Sequence, residues 1–209
     1  MRVKNAASPA LFRTYTVRCD ANDNCFIWEA ARATTAALTF FKSISIRGTD
    51  GIEQEFCDGG LKWNNPVQVV IEEGERVFGP KRRVACIVSI GTGHQSTIGL
   101  EDADWYQALL PTNVIHLLKR LATDCEEKAE ECEKRYGGLP GLYYRFNVDH
   151  GLEKVSWADW EMVGTVKTHT ISYLEKRPVE RKLDQLADIL QTRQGNVTTA
   201  GLSTVQISH

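Results

Sequence analysis

No run of apolar residues in this 209-residue chain approaches the ~20 needed to cross a bilayer. The first fifteen residues, MRVKNAASPALFRTY, lack an apolar stretch long enough for a secretory signal. There is no surplus of positive charge either. A net charge of −2 excludes a protein that coats phosphate backbones, which would need a concentrated basic face. The six cysteines, at 19, 25, 57, 86, 125 and 132, form no C-x-x-C, and the histidines at 94, 116, 150, 169 and 209 show no metal-ligand spacing. Structural zinc and a disulfide framework are therefore set aside, and buried reduced thiols are expected. Internal repeats and low-complexity tracts are absent as well. The expectation is a soluble, cytoplasmic protein, able to sit peripherally on membranes, with no metal and no cofactor.

What the chain does have is an ordinary core supply, 42% apolar against 25% charged residues, enough for one domain and a tail. The segment 11–17 (LFRTYTV) alternates and reads as a strand. Asn24 is placed to cap a helix carrying Ile27, Trp28, Ala30 and Ala31. The following ARATTAAL is almost all small residues, so another backbone is expected to approach closely there. Residues 44–46 form a short apolar strand, 48–51 a turn, and Phe56-Cys57 end a second strand. Asn65-Pro66 reads as a helix start, with Asn65 capping, before an apolar pattern of helical period at Val67, Val70, Ile71, Val77 and Phe78. VACIVSI (84–90) is continuously apolar and predicts a strand buried on both faces, ended by Gly91-Thr92-Gly93. Further helices are expected over 113–136, 159–174 with Asp159 as cap, and 178–193. A strand is expected over 143–148, and a flexible tail over 194–209. Strand, helix and strand in that order argue for an α/β sheet.

The densest punctuation is FCDGGLKWNNP, residues 56–66. An isolated Asp-Gly-Gly is usually a turn. Asp58, however, stands at the carboxyl end of an expected strand, where α/β sheets gather their ligands. Taken with WEAARATTAALTFF (28–41) and CIVSIGTG (86–93), in this order and spacing, the chain resembles the patatin-like phospholipase family. The segment 143–174 is also similar to the end of that domain, so the likeness runs over roughly residues 10–190.

That resemblance implies an incomplete three-layer α/β fold, with a mostly parallel sheet between helices and a helical C-terminal region, spanning 1–193. It also implies a Ser-Asp dyad that hydrolyses lipid acyl esters, in which an aspartate activates the serine directly. Asp58 takes the aspartate's position, and Gly59 and Gly60 complete the motif. A lipid or acyl ester would be the substrate. The family's serine lies in a G-x-S-x-G elbow and its oxyanion hole in a Gly-rich loop, and neither motif occurs in the 209 residues. Ser43, Ser45, Ser89 and Ser96 have no such elbow around them, and Thr35 and Leu38 replace a serine and a proline of the family pattern. The expectation is the C-terminal portion of the domain, inactive by itself, with an exposed sheet edge that favours self-association or a partner chain. The alternative is a non-catalytic interaction or regulatory fragment.

Overall fold

The computed structural model describes residues 1–4, 9–15, 25–37, 41–93, 125–152, 155 and 160–205. They form a mixed α/β structure that divides into two compact units, Met1–Pro66 and Val67–His209.

In the first unit, helix α1 (Ile27–Thr34) is followed by strands β1 (Ile44–Arg47) and β2 (Glu53–Phe56) and the short helix α2 (Gly60–Trp63). Asn24 lies outside the described residues. The start of α1 is capped instead by Glu29, whose carboxylate accepts the Phe26 N–H at 2.8 Å. β1 and β2 form an antiparallel hairpin in which Ile44 faces Phe56 and Ile46 faces Gln54. Its turn closes through the Gly48 N–H to Ile52 O (2.9 Å), and Gly51 takes a φ of +77°, open to glycine without strain. On the other side of β2, residues 1–3 add a further edge: Val3 N–H donates to Glu55 O and Cys57 N–H to Met1 O, both at 2.9 Å. The core is Ala33, Ile46 and Phe56, with Phe12 tilted against the Phe56 ring at 5.2 Å. Of the strand expected at 11–17, residues 11–15 are irregular and 16–17 lie outside the described residues.

The second unit opens with α3 (Val67–Phe78) and continues through β3 (Arg83–Val84), β4 (Ile87–Ile90), α4 (described over 125–136) and β5 (Tyr143–Phe146). A 3-10 turn (Trp160–Met162), α5 (Val163–Leu174), α6 (Arg177–Thr192), β6 (Val197–Thr198) and α7 (Thr199–Thr204) complete it. β4 and β5 pair in parallel, with Ser89 opposite Arg145, whereas β3 and β6 pair antiparallel. Strand β5 is buried on both faces. Tyr143 joins Val67, Ile71, Tyr136 and Leu202 on one side, while Tyr144 and Phe146 meet Val179 and Leu186 of α6 on the other. Asp159, expected to cap the helix before Leu174, lies outside the described residues.

Two expectations are corrected here. VACIVSI is not one doubly buried strand. It breaks at Ala85-Cys86, and Ile90 is 78% exposed, because among the described residues β5 is the sole strand beside β4. The segment from 194 is not a free tail through residue 205. β6 pairs with β3, and the Thr199 hydroxyl donates to Gly79 O (2.6 Å). Arg135 donates to the carbonyls of Ser203 and Val205, both at 2.8 Å, and Leu202 is fully enclosed.

Truncating this buried side chain in Leu202→Ala is expected to destabilise the chain by about 2–4 kcal/mol, measured as a shift in the urea midpoint at unchanged slope. A second prediction concerns the ion pair of Lys176, whose ammonium donates to both oxygens of Asp149 at 2.8 and 2.7 Å. This hydrogen bonding holds the Asp149 carboxyl below its ordinary range. The pair's contribution is thus present above the ordinary aspartate value and is lost as pH falls through the depressed one. Both side chains are two-fifths exposed, so Asp149→Asn should lower stability at neutral pH by under ~1 kcal/mol, with the difference vanishing in acid.

Candidate functional site around Asp58

Strand β2 ends at Phe56, Cys57 is buried behind it, and Asp58 follows half-buried at the strand's carboxyl end. Two hydrogen bonds fix this residue. Its N–H donates to Ala36 O at 3.0 Å, and its Oδ1 accepts the Gly60 N–H at 3.0 Å. The second bond is an Asx-turn, which holds the carboxylate over the first turn of α2. The first bond explains the small residues after α1. Ala36 has no exposed surface and Ala33 almost none, so the chain leaving α1 lies against the chain leaving β2. A larger side chain at either place would hold the two backbones apart.

The two glycines differ in their reasons. A Cβ at Gly60 would stand 3.3 Å from Asp58 Oδ2, tighter than ordinary contact, so glycine there leaves the carboxylate its position. A Cβ at Gly59 would meet nothing within 4 Å, and its backbone is right-handed helical. Next to Asp58, the Met1 ammonium donates to Cys57 O at 2.6 Å. Burial pushes that ammonium's pKa down, while Cys57 and Asp58 pull it back up. Burial likewise pushes the Cys57 thiol up, which disfavours its thiolate form.

Asn65 does not act as expected. It is only 8% exposed, yet neither its Oδ1 nor its Nδ2 has a hydrogen-bond partner, so its side chain caps nothing. Pro66, with its preset φ, is left as the local signal that starts α3.

The serines are dispersed. Ser43 donates to the Glu55 carboxylate on the hairpin surface, Ser45 is exposed on β1, and Ser96 lies outside the described residues. Ser89 belongs to the second unit, where it accepts a hydrogen bond from Arg145 (3.0 Å). Gly91 and Gly93 end β4 with their amides already committed, Gly91 N–H to Phe146 O (2.8 Å) and Gly93 N–H to Asn147 Oδ1 (2.7 Å). They form a strand-ending turn. Among the described residues no cluster of three or more histidine, cysteine or acidic groups is placed to hold a metal, and no helix is long and apolar enough to cross a membrane.

Sequence reasoning anticipated a close approach near Ala36 without its partner. The missing signal is the backbone bond to Asp58, which no residue type encodes. Ala36→Leu is expected to destabilise the chain by about 1–3 kcal/mol, because the added carbons have no space and must displace the Asp58 loop. A thermal or urea melt measures this, and Ala31→Leu on the less buried part of α1 serves as the control.

A family model for patatin-like phospholipase matches residues 2–71, a stretch that contains α1, the β1–β2 hairpin, Asp58-Gly59-Gly60 and the start of α3. No curated protein and no solved structure matches the chain. The segments 86–93 and 143–174 lie outside the matched stretch. Over residues 2–71, which hold Asp58 in its turn, the chain is similar to the patatin-like phospholipase family.

Proposed function

We propose that the chain is part of a lipid acyl hydrolase in which Asp58 is the general base of a Ser-Asp dyad. The observation that carries this reading is the Asp58 carboxylate, held by the Gly60 N–H at the end of β2 inside the family-matched segment. A serine hydroxyl is a weak nucleophile until a base takes its proton, and a fixed carboxylate at a strand end serves that purpose. The substrate class is a carboxylic ester of a lipid. The 209 residues contain no G-x-S-x-G elbow and no Gly-rich oxyanion loop, so by this reading the chain alone does not turn over ester. General-base help is worth about 10²–10⁴-fold and each oxyanion donor about 10²–10³-fold, and the base has nothing to act on without the other two parts.

The test is hydrolysis of a short-chain ester and of a phospholipid by two proteins. The purified 209-residue chain is expected to stay at background. A fusion that places a segment bearing the elbow and the loop before Met1 is expected to hydrolyse ester, and to lose about 10²–10⁴-fold on Asp58→Asn. Activity in the fusion that survives Asp58→Asn would refute the role of Asp58. Activity of the chain alone that disappears in Asp58→Ala would assign the nucleophile to one of its own serines.

A second reading, a non-catalytic interaction module, draws on the surface of α1. Phe26, Ile27 and Trp28 are consecutive and 69%, 87% and 62% exposed, an apolar patch of the kind that marks association sites. This reading expects concentration-dependent self-association in sedimentation velocity, weakened by Trp28→Ser. A monodisperse monomer across the concentration range would contradict it.

A further inference from the structure

The second unit contains a polar cluster that the Asp58 reading does not use. It lies on one face of the parallel β4–β5 pair, toward the carboxyl ends of both strands, where ligands of α/β sheets collect. Tyr143, Arg145 and Asn147 alternate along β5 and its extension, so they share this face, and Ser89 stands opposite Arg145 on β4. Arg145 Nη1 donates to Ser89 Oγ at 3.0 Å. Its Nη2 reaches the Cys125 sulfur at 3.9 Å and lies 3.9 Å from a Glu126 oxygen. That Glu126 oxygen also accepts from Asn147 Nδ2 at 3.2 Å. A side chain at position 91 would collide with Asn147 and with the Arg145 guanidinium, so Gly91 is what lets the guanidinium close on the strand end.

The hydrogen bonds in this cluster do not balance. Arg145 Nε is buried and has no acceptor. The Tyr143 hydroxyl is also buried; it lies within weak hydrogen-bonding reach of Ser89 and Cys132 but forms no hydrogen bond of good geometry. Ser89, 6% exposed, accepts from Arg145 and keeps its own hydrogen to give. Burial pushes the Tyr143 phenol up, so at neutral pH it remains a donor. Among the described residues, donors are thus in excess around a guanidinium whose side chain is 15% exposed and whose one carboxylate neighbour is 3.9 Å away and shared with Asn147. Buried donors without acceptors are costly, and an oxygen-rich anion removes that deficit. The amides of Gly91 and Gly93 are already spoken for, so side chains, not the glycine turn, would hold such a ligand.

The geometry points to a binding site for a small oxyanion, a carboxylate or a phosphate, formed by Arg145, Tyr143 and Ser89 on one face of the β4–β5 pair. It is independent of Asp58, which lies in the other unit.

The test is thermal unfolding of the full chain at constant ionic strength with chloride as the reference, adding inorganic phosphate in one arm and butyrate in the other. At least one anion is expected to raise the melting temperature saturably, and the arm that does so tells phosphate from carboxylate. Arg145→Gln is expected to abolish the shift. Because that variant removes an internal hydrogen bond and is prone to unfold, Tyr143→Phe is the second probe. It deletes a hydroxyl that has no well-formed hydrogen bond, so it should leave the ligand-free melting temperature close to unchanged, while weakening the anion about tenfold or more. The proposal is overturned if neither anion exceeds the chloride reference. It is equally overturned if Tyr143→Phe lowers the ligand-free melting temperature and leaves the anion affinity intact.

Discussion

A single backbone hydrogen bond, from the Asp58 N–H to the Ala36 carbonyl, organises the first unit. It joins the chain just past α1 to the chain just past β2, and everything near it is shaped to let the two meet. Ala33 and Ala36 are small enough for backbone contact, and Phe56 fills the space behind. The hairpin turn at Gly48–Gly51 brings β2 back along β1 in the register that sets Phe56 opposite Ile44. Once the Asp58 N–H is spent on Ala36, its side chain is free to take the Gly60 N–H, and the carboxylate faces the start of α2 with a defined orientation. An aspartate in a loose loop would sample many positions. This one is held from both its backbone and its side chain, the preorganisation that its proposed role calls for.

The second unit works by a different constraint. Its core is built on β5, which uses both faces of the pleat: Tyr143 toward α3, α4 and α7, Tyr144 and Phe146 toward α6. Apolar positions along α6 at Val179, Leu183, Leu186 and Ile189 recur at helical spacing and cover one of these faces. The other face changes character along the strand, from the apolar packing of Tyr143 against Tyr136 to the polar cluster of Arg145 and Asn147. The core therefore ends where the polar groups begin, at the carboxyl end of the strand pair.

Where local signals are strong, sequence and structure agree. Glycine and proline punctuation places the β1–β2 hairpin and the starts of α3 and α6, and the strand expected over 143–148 is found as β5 over Tyr143–Phe146. The position of Asp58 at a strand end was legible for the same reason, since an apolar pair followed by Asp-Gly-Gly leaves few other readings. What failed depends on distant partners. The segment from 194 is polar and short of apolar residues, and it is ordered by bonds to Gly79, Pro80 and Arg82, with Thr199 and Gly79 120 positions apart. VACIVSI has the composition of a doubly buried strand, but burial requires neighbours, and Ser89 turns into the polar cluster instead. Asn65 looks like a helix cap by type and place, yet its carboxamide is buried without a partner. A residue's type limits what it can bond to, but the tertiary arrangement decides whether the partner arrives.

The proposed role of Asp58 depends on its being held in place, and amide hydrogen exchange of the 209-residue chain, followed residue by residue by NMR, tests this most directly. The Asp58 and Cys57 amides, bonded to Ala36 O and Met1 O, should exchange slowly, within the range of the β2 amides. An Asp58 amide that exchanges at the rate of an unstructured peptide while β2 stays protected would show that Ala36 does not hold it, and would contradict the proposed positioning of its carboxylate.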